Sequence, residues 1–103
     1  MKRLAYYPRK LYITPMGYSV IIKRKLDKDL LKLPADVRKL FFLLVVDLKA
    51  DGPYQPTWPN YSPLSGDKYH CHLNRKHVAC WTWSKGTIEI EVYYAGSREK
   101  APY

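Results

Sequence analysis

Two histidines stand two positions apart in the segment 68–73, which reads KYHCHL. Successive side chains of a β-strand point to opposite faces of the sheet, so His70 and His72 share one face and Cys71 lies on the other. Because the apolar members of this segment should face a core, we expect the histidines on the opposite, open face. Imidazoles titrate near neutral pH, so such a pair can serve as general acid and general base.

The chain is strongly basic around this pair. It carries 18 Lys and Arg residues against 9 Asp and Glu, a net charge of +9. A field of this sign raises the local concentration of phosphates or acidic partners, although a basic surface that only maintains solubility is the alternative. We expect four basic residues close to the histidine face to contact a nucleic acid: Lys68, Arg75, Lys76 and Lys100.

Two other interpretations of the histidines stay open. They can be ordinary exposed strand residues, or part of a metal cluster, which the composition of His70, Cys71, His72, His77 and Cys80 resembles. Alternation turns Cys71 away from both histidines, and the chain has no Cys-x-x-Cys spacing. We therefore expect no metal site and no cofactor, and two buried, unreactive thiols.

The face that His77 occupies depends on the register of one hairpin. If Leu73 pairs with His77, then His77 faces the core alongside Trp81 and Trp83. If a two-residue turn pairs His72 with His77, all three histidines share a face, because a slip of one residue inverts a strand. The Asn74-Arg75 dipeptide does not decide between these two registers, because Asn suits the first position of a two-residue turn and Arg is poor at the second.

The elements that must position these residues form a predicted α+β domain at 18–103, preceded by a basic N-terminal extension at 1–17. The patterns predict a strand at 18–25, helices at 27–33 and 35–50, a proline-rich loop at 52–67, and strands at 68–73, 77–83 and 87–94. Short connections make the last three strands an antiparallel meander, with both helices packed on one face of the sheet.

Two segments of this domain have an expected packing role. The helix at 35–50 is apolar around most of its circumference, which favours deep burial over coverage by a partner. The proline-rich loop, with its Trp58, is expected to strap across the core. The apolar run that ends at Val46 is far shorter than the ~20 residues of a membrane helix. With no secretory signal pattern and no disulfide framework, we expect a cytoplasmic protein without a membrane segment.

Three segments resemble the RelE/ParE superfamily of toxins from bacterial and archaeal toxin–antitoxin systems. They are KYHCHL (68–73), HVACWTW (77–83) and IEIEVYYAGSREKAPY (88–103). The last is the most specific, with a final strand, a glycine and a short basic segment that ends in tyrosine. The resemblance covers 18–103 and implies a RelE-like fold.

The resemblance also implies an activity and its residues. RelE-like toxins are ribosome-dependent endoribonucleases that cut mRNA without metal, use the ribose 2′-hydroxyl as nucleophile, and so inhibit translation. By position, the catalytic residues of the family fall on His70, His72, Arg98 and Tyr103, and on or near His77. Histidine stands where lysine or arginine is usual, so the base and the acid are not yet distinguished.

The implied roles and partners follow from the same resemblance. His70 or His72 takes the 2′-hydroxyl proton, Arg98 stabilises the phosphorane and Tyr103 stacks on a base. The partners are a cognate antitoxin, mRNA and the ribosome, with a dimer or a toxin–antitoxin hetero-oligomer as the assembly. A ParE-like inhibitor of DNA gyrase and a non-catalytic nucleic-acid-binding relative are the alternatives.

Overall fold

The computed structural model describes residues 17–103, so the predicted basic extension lies, apart from Gly17, outside the described residues. The elements are β1 (Ser19–Ile22), a 3₁₀ turn (Arg24–Leu26), α1 (Asp27–Lys32), α2 (Ala35–Asp51), β2 (Ser62–Pro63), β3 (Lys68–His72), β4 (His77–Trp83) and β5 (Glu89–Ser97). The predicted α+β class is confirmed.

The five strands form one sheet in the order β1-β5-β4-β3-β2. The predicted antiparallel meander of β3, β4 and β5 is present. β1 pairs with β5 in parallel, so the sheet is mixed rather than purely antiparallel. A parallel pair requires a long crossover, which the two helices and the meander supply here. The short strand β2, which pairs antiparallel with β3, was not predicted.

The two helices are separated at a leucine–proline step. Leu33 is extended, with ψ 142°, as expected for a residue that precedes a proline. The Arg38 guanidinium then donates to the carbonyl oxygens of Leu30, Leu31 and Leu33 at 3.2–3.3 Å. These carbonyls lie at and just after the C-terminal end of α1, where the regular helical hydrogen bonds end, so Arg38 joins the helices into one unit.

α2 packs on the sheet with one side only. Val37, Phe41, Leu44 and Leu48 are buried in the core that α2 shares with the sheet. The outer side stays open to solvent, with Phe42, Leu43 and Val46 exposed by 46%, 52% and 59%. The predicted deep burial of this helix was therefore wrong, because a single helical layer on one sheet face leaves half of each helix uncovered.

The proline-rich loop crosses the core, as expected. The indole of the fully buried Trp81 donates to the Pro53 carbonyl at 3.0 Å. Trp58 donates to the Asp47 carboxylate at 2.8 Å, and the buried Gln55 side chain donates to the Asp47 carbonyl at 3.1 Å. These three bonds tie the loop to the C-terminal half of α2 and to β4.

The end of α2 is set by a glycine. Gly52 has φ +93°, a backbone conformation that residues with a side chain rarely adopt, and a Cβ there would lie 2.8 Å from the Tyr18 ring. The close approach of Tyr18 brings β1 against the helix end. Within residues 17–103, we find no helix with the length and apolar character needed to cross a membrane.

Candidate nucleic-acid site on the sheet

The register of β3 and β4 places His70 and His72 on one face of the sheet. His70 pairs with Cys80 and His72 with Val78, while the neighbouring Cys71 joins the core between sheet and helices. The two imidazole centroids are 5.7 Å apart. The pair therefore lies on the face opposite the helices, as strand alternation predicted.

His70 is enclosed. The residue is only 8% exposed, and its ring centroid lies 4.5 Å from that of Tyr103. Its Nδ1 lies 3.2 Å from the Ser62 hydroxyl oxygen, within hydrogen-bond distance. Ser62 belongs to β2 and was missed, because nothing in a proline-rich loop signals that two of its residues pair with β3.

His72 is the more accessible of the two and is only partly buried. Its burial, followed by the nearby His70 and the positive charge of Arg98, lowers the pKa of His72 below its ordinary value. The ring is therefore neutral at physiological pH and able to accept a proton. The positive charge of Arg98 therefore acts on the His72 ring.

The C-terminal tail brings two further predicted residues to this face. The backbone N–H of Arg98 donates to the Lys76 carbonyl at 2.8 Å, which holds the start of the tail against the turn between β3 and β4. The tail then returns over the sheet, where Tyr103 covers His70 and remains 51% exposed. Burial, as the largest cause, raises the pKa of Tyr103 above the ordinary phenol value, so the Tyr103 hydroxyl is protonated at neutral pH.

The centre of this face is filled by buried side chains. Val78 and Cys80 point to it and are completely buried. Tyr93 lies beside Cys80, and its hydroxyl is buried there. Burial raises the pKa of Cys80 to about 11 and that of Cys71 to about 12, so both thiols are buried and protonated. A ligand can reach this face around His72, Arg98 and Tyr103.

His77 does not join the other histidines. The Leu73 N–H donates to the His77 carbonyl at 2.8 Å, so the hairpin has the register that turns His77 toward the helices. There it lines a cleft with Lys32 of α1 and with Lys100. The expected place of His77 in the catalytic group is not supported by this geometry, and we remove it from that group.

The four predicted phosphate contacts are all exposed. Lys68 lies on the face of His70 and His72, two residues before the pair. Arg75 and Lys76 occupy the turn after β3, and Lys100 lies in the tail after Arg98. Nowhere in the described region do three or more His, Cys, Asp or Glu side chains group as metal ligands.

The lowered pKa of His72 has a consequence for stability. A histidine whose pKa is lower in the folded than in the unfolded chain stabilises the fold fully above about pH 6.5 and loses this contribution as the pH falls through the folded-state pKa. We expect urea unfolding to show a lower free energy at about pH 5 than at about pH 7.5. The His72→Asn variant should show a smaller decline, and an equal decline in both proteins would contradict the assignment.

Comparison with known proteins identifies the fold. No known family model matches the chain, and no curated protein matches it significantly. Solved structures do match. The archaeal RelE of the Pyrococcus horikoshii RelE–RelB complex aligns with a TM-score of 0.61 and 20% identity, over 84% of this chain and 100% of that one. The chain has the fold of the RelE/ParE toxins.

Two further RelE-like structures agree. Free Escherichia coli RelE with two arginine-to-alanine substitutions has a TM-score of 0.66 and 18% identity, over 84% of this chain and 88% of that one. YoeB of the Staphylococcus aureus YoeB–YefM complex has a TM-score of 0.62 and 11% identity, over 79% of this chain and 97% of that one. At such identities the RelE-like fold is shared, while the side chains that perform chemistry must be judged in this chain.

Proposed function

We propose that the protein is the toxin of a toxin–antitoxin system, a ribosome-associated endoribonuclease that cleaves mRNA in the cytoplasm and inhibits translation. The observation that carries this proposal is the neutral, partly exposed His72, on which the charge of Arg98 acts and which shares its sheet face with His70 and the Tyr103 ring over it, on a RelE-like fold of net charge +9. A neutral imidazole, a fixed cation and an aromatic ring supply a base, charge stabilisation and a stacking surface.

The proposed reaction uses these side chains, the RNA and a solvent proton. His72 accepts the proton of a ribose 2′-hydroxyl, and the 2′-oxygen attacks the adjacent phosphorus. The 5′-oxygen leaves and takes a proton from solvent, which yields a 2′,3′-cyclic phosphate and a 5′-hydroxyl. Arg98 stabilises the negative charge that develops on the phosphorane, and the exposed ring of Tyr103 stacks on a neighbouring base.

His72, rather than His70, is assigned as the base. His70 is covered by Tyr103 and contacts Ser62, so its ring is not free to meet a ribose. We assign His70 a positioning role, in which its ring packs against the ring of Tyr103. Lys68, Arg75 and Lys76 contribute contacts to phosphates that hold the strand across the face, and Lys100 contributes one from the tail.

Primer extension on an mRNA translated in a reconstituted system tests this function. We expect discrete stops that depend on ribosomes and on the added protein. A ParE-like gyrase inhibitor is the second candidate, because the YoeB/ParE toxin of Agrobacterium tumefaciens has the same fold. That structure aligns with a TM-score of 0.62 and 12% identity, over 78% of this chain and 98% of that one. Intact mRNA together with loss of gyrase supercoiling would overturn the nuclease in favour of that candidate.

The exposed side of α2 is the proposed contact with the antitoxin. Phe42, Leu43 and Val46 line a groove of about 480 Å³ bordered by Arg38 and Lys39. Exposed apolar surface of this kind is typical of a protein interface, and the bordering cations favour acidic residues in the partner. An amphipathic helix with acidic flanks fits both features.

Replacing Val46 by glutamate should weaken binding of the protein encoded beside this toxin by about 10–100-fold, as expected for an apolar interface residue. The matched control is Leu31→Glu, which alters a leucine that is 76% exposed outside the groove. Isothermal titration calorimetry measures both affinities. Equal affinities for the two variants would exclude this groove as the contact.

A further inference from the structure

His77 borders two neighbouring clefts at one end of the sheet. The first, of about 320 Å³, lies between α1 and the ends of β4 and β5 and contains Asp29, Lys32, Tyr94 and Lys100. The second, of about 420 Å³, lies between the turn after β3 and the tail and contains Lys76, Arg98 and Glu99. His77 thus lines both spaces.

The orientation of the His77 ring is set by Asn74. The Asn74 Oδ1 accepts the backbone N–H groups of Lys76 at 2.9 Å and His77 at 2.8 Å, which identifies this atom as the amide oxygen. His77 Nδ1 lies 3.0 Å from the same oxygen, so Nδ1 carries a hydrogen and donates it. This bond holds the ring beside the two clefts that His77 lines.

The charges around the ring favour an anion. The two clefts hold four cationic side chains, Lys32, Lys76, Arg98 and Lys100, against the two carboxylates of Asp29 and Glu99. Cationic donors of this kind are the groups that bind phosphate.

Arg98 connects these clefts to the opposite face of the sheet. It lines the second cleft, and its charge also acts on His72. Its backbone bond to Lys76 holds it at the sheet end, between the two faces. A nucleic acid strand bound at His72 can therefore pass Arg98 and continue into the clefts beside His77.

We infer that His77, Lys32 and Lys100 form a second phosphate-binding subsite, which holds the backbone of the single-stranded RNA next to the nucleotide that is cleaved. The identity of the ligand as RNA rests on the proposed function, whereas the subsite itself rests on the clefts and their charges. The subsite lengthens the bound strand and contributes affinity without touching the reacting atoms.

The test uses the full chain and a fluorescent single-stranded oligoribonucleotide whose 2′-hydroxyls are methylated, so that it binds without being cut. Fluorescence anisotropy gives the affinity at several salt concentrations. The Lys32→Ala variant should bind more weakly, with the slope of log affinity against log salt reduced by about 0.7, the value for one lost phosphate contact on a single strand. Lys28→Ala is the matched control, because Lys28 is an exposed lysine of the same helix that lines neither cleft.

Equal affinities of the Lys32→Ala and Lys28→Ala variants, or no binding of the oligonucleotide by the wild type, would overturn the subsite. The binding measurement is independent of cleavage. A wild type that leaves translated mRNA intact but shows the Lys32-specific loss of binding would refute the proposed nuclease while the subsite stands.

The His77 ring offers a second measurement in the same samples. Imidazole ¹⁵N resonances of His77 should report a hydrogen on Nδ1 in the free protein, and they should shift after the oligonucleotide is added. The Lys28→Ala control should show the same change. Resonances of His77 that do not respond to saturating oligonucleotide would overturn its place in the subsite.

Discussion

The His72→Ala variant is expected to cleave mRNA roughly 10²–10⁴-fold more slowly than the wild type, the contribution typical of a general base. His72 is the histidine of the pair that is both partly exposed and neutral at physiological pH, and the charge of Arg98 acts on it. Single-turnover cleavage in a reconstituted translation reaction gives the rate constant.

A chemical role of His72 is separable from a structural one. Free imidazole should partly restore cleavage by His72→Ala, because it can enter the space of the missing ring and accept the proton. Cleavage by the wild type should also persist to lower pH than an ordinary histidine would permit, since the pKa of His72 is lowered by its burial. Wild-type cleavage rates in the variant would refute the assignment of the base.

Replacing Trp81 by alanine is expected to lower the free energy of unfolding by about 3–5 kcal/mol. Trp81 is completely buried, its ring stacks against Tyr69 and Tyr61 with centroids 6.4 and 6.3 Å away, and its indole binds the loop at Pro53. The loss is a large part of the roughly 5–15 kcal/mol that stabilises a typical domain. Urea unfolding at neutral pH measures it.

Trp81→Phe is the matched control for the hydrogen bond. This variant keeps an aromatic ring against Tyr69 and leaves the buried Pro53 carbonyl without its donor, which should cost about 1–3 kcal/mol. If the alanine variant is no less stable than the phenylalanine variant, the ring does not anchor the core and the loop as described.

The parts of the fold that depend on local pattern were predictable. A period of two placed His70 and His72 on the face opposite Cys71, and three-residue connections permitted only antiparallel neighbours. The C-terminal residues Arg98 and Tyr103 were found through family resemblance, since no periodicity marks them. Their positions beside His72 and over His70 depend on the path of the tail.

The parts that depend on distant contacts were not predictable. Ser62 reaches His70 because two loop residues pair with β3, and the parallel pairing of β1 with β5 joins opposite ends of the chain. The exposure of α2 depends on the number of layers in the domain, which the apolar pattern of one helix does not encode. The face of His77 depended on one residue of register, and the Asn74 side chain contributes to the turn that holds it.

The most direct test of the nuclease compares two mRNAs that differ in one atom. After primer extension has mapped a cleaved bond, a second mRNA carries a 2′-deoxynucleotide on the 5′ side of that bond. If the neighbouring 2′-hydroxyl is the nucleophile and His72 its base, the unmodified mRNA is cut there and the deoxy mRNA is left intact. Equal cutting of both messages would contradict the account.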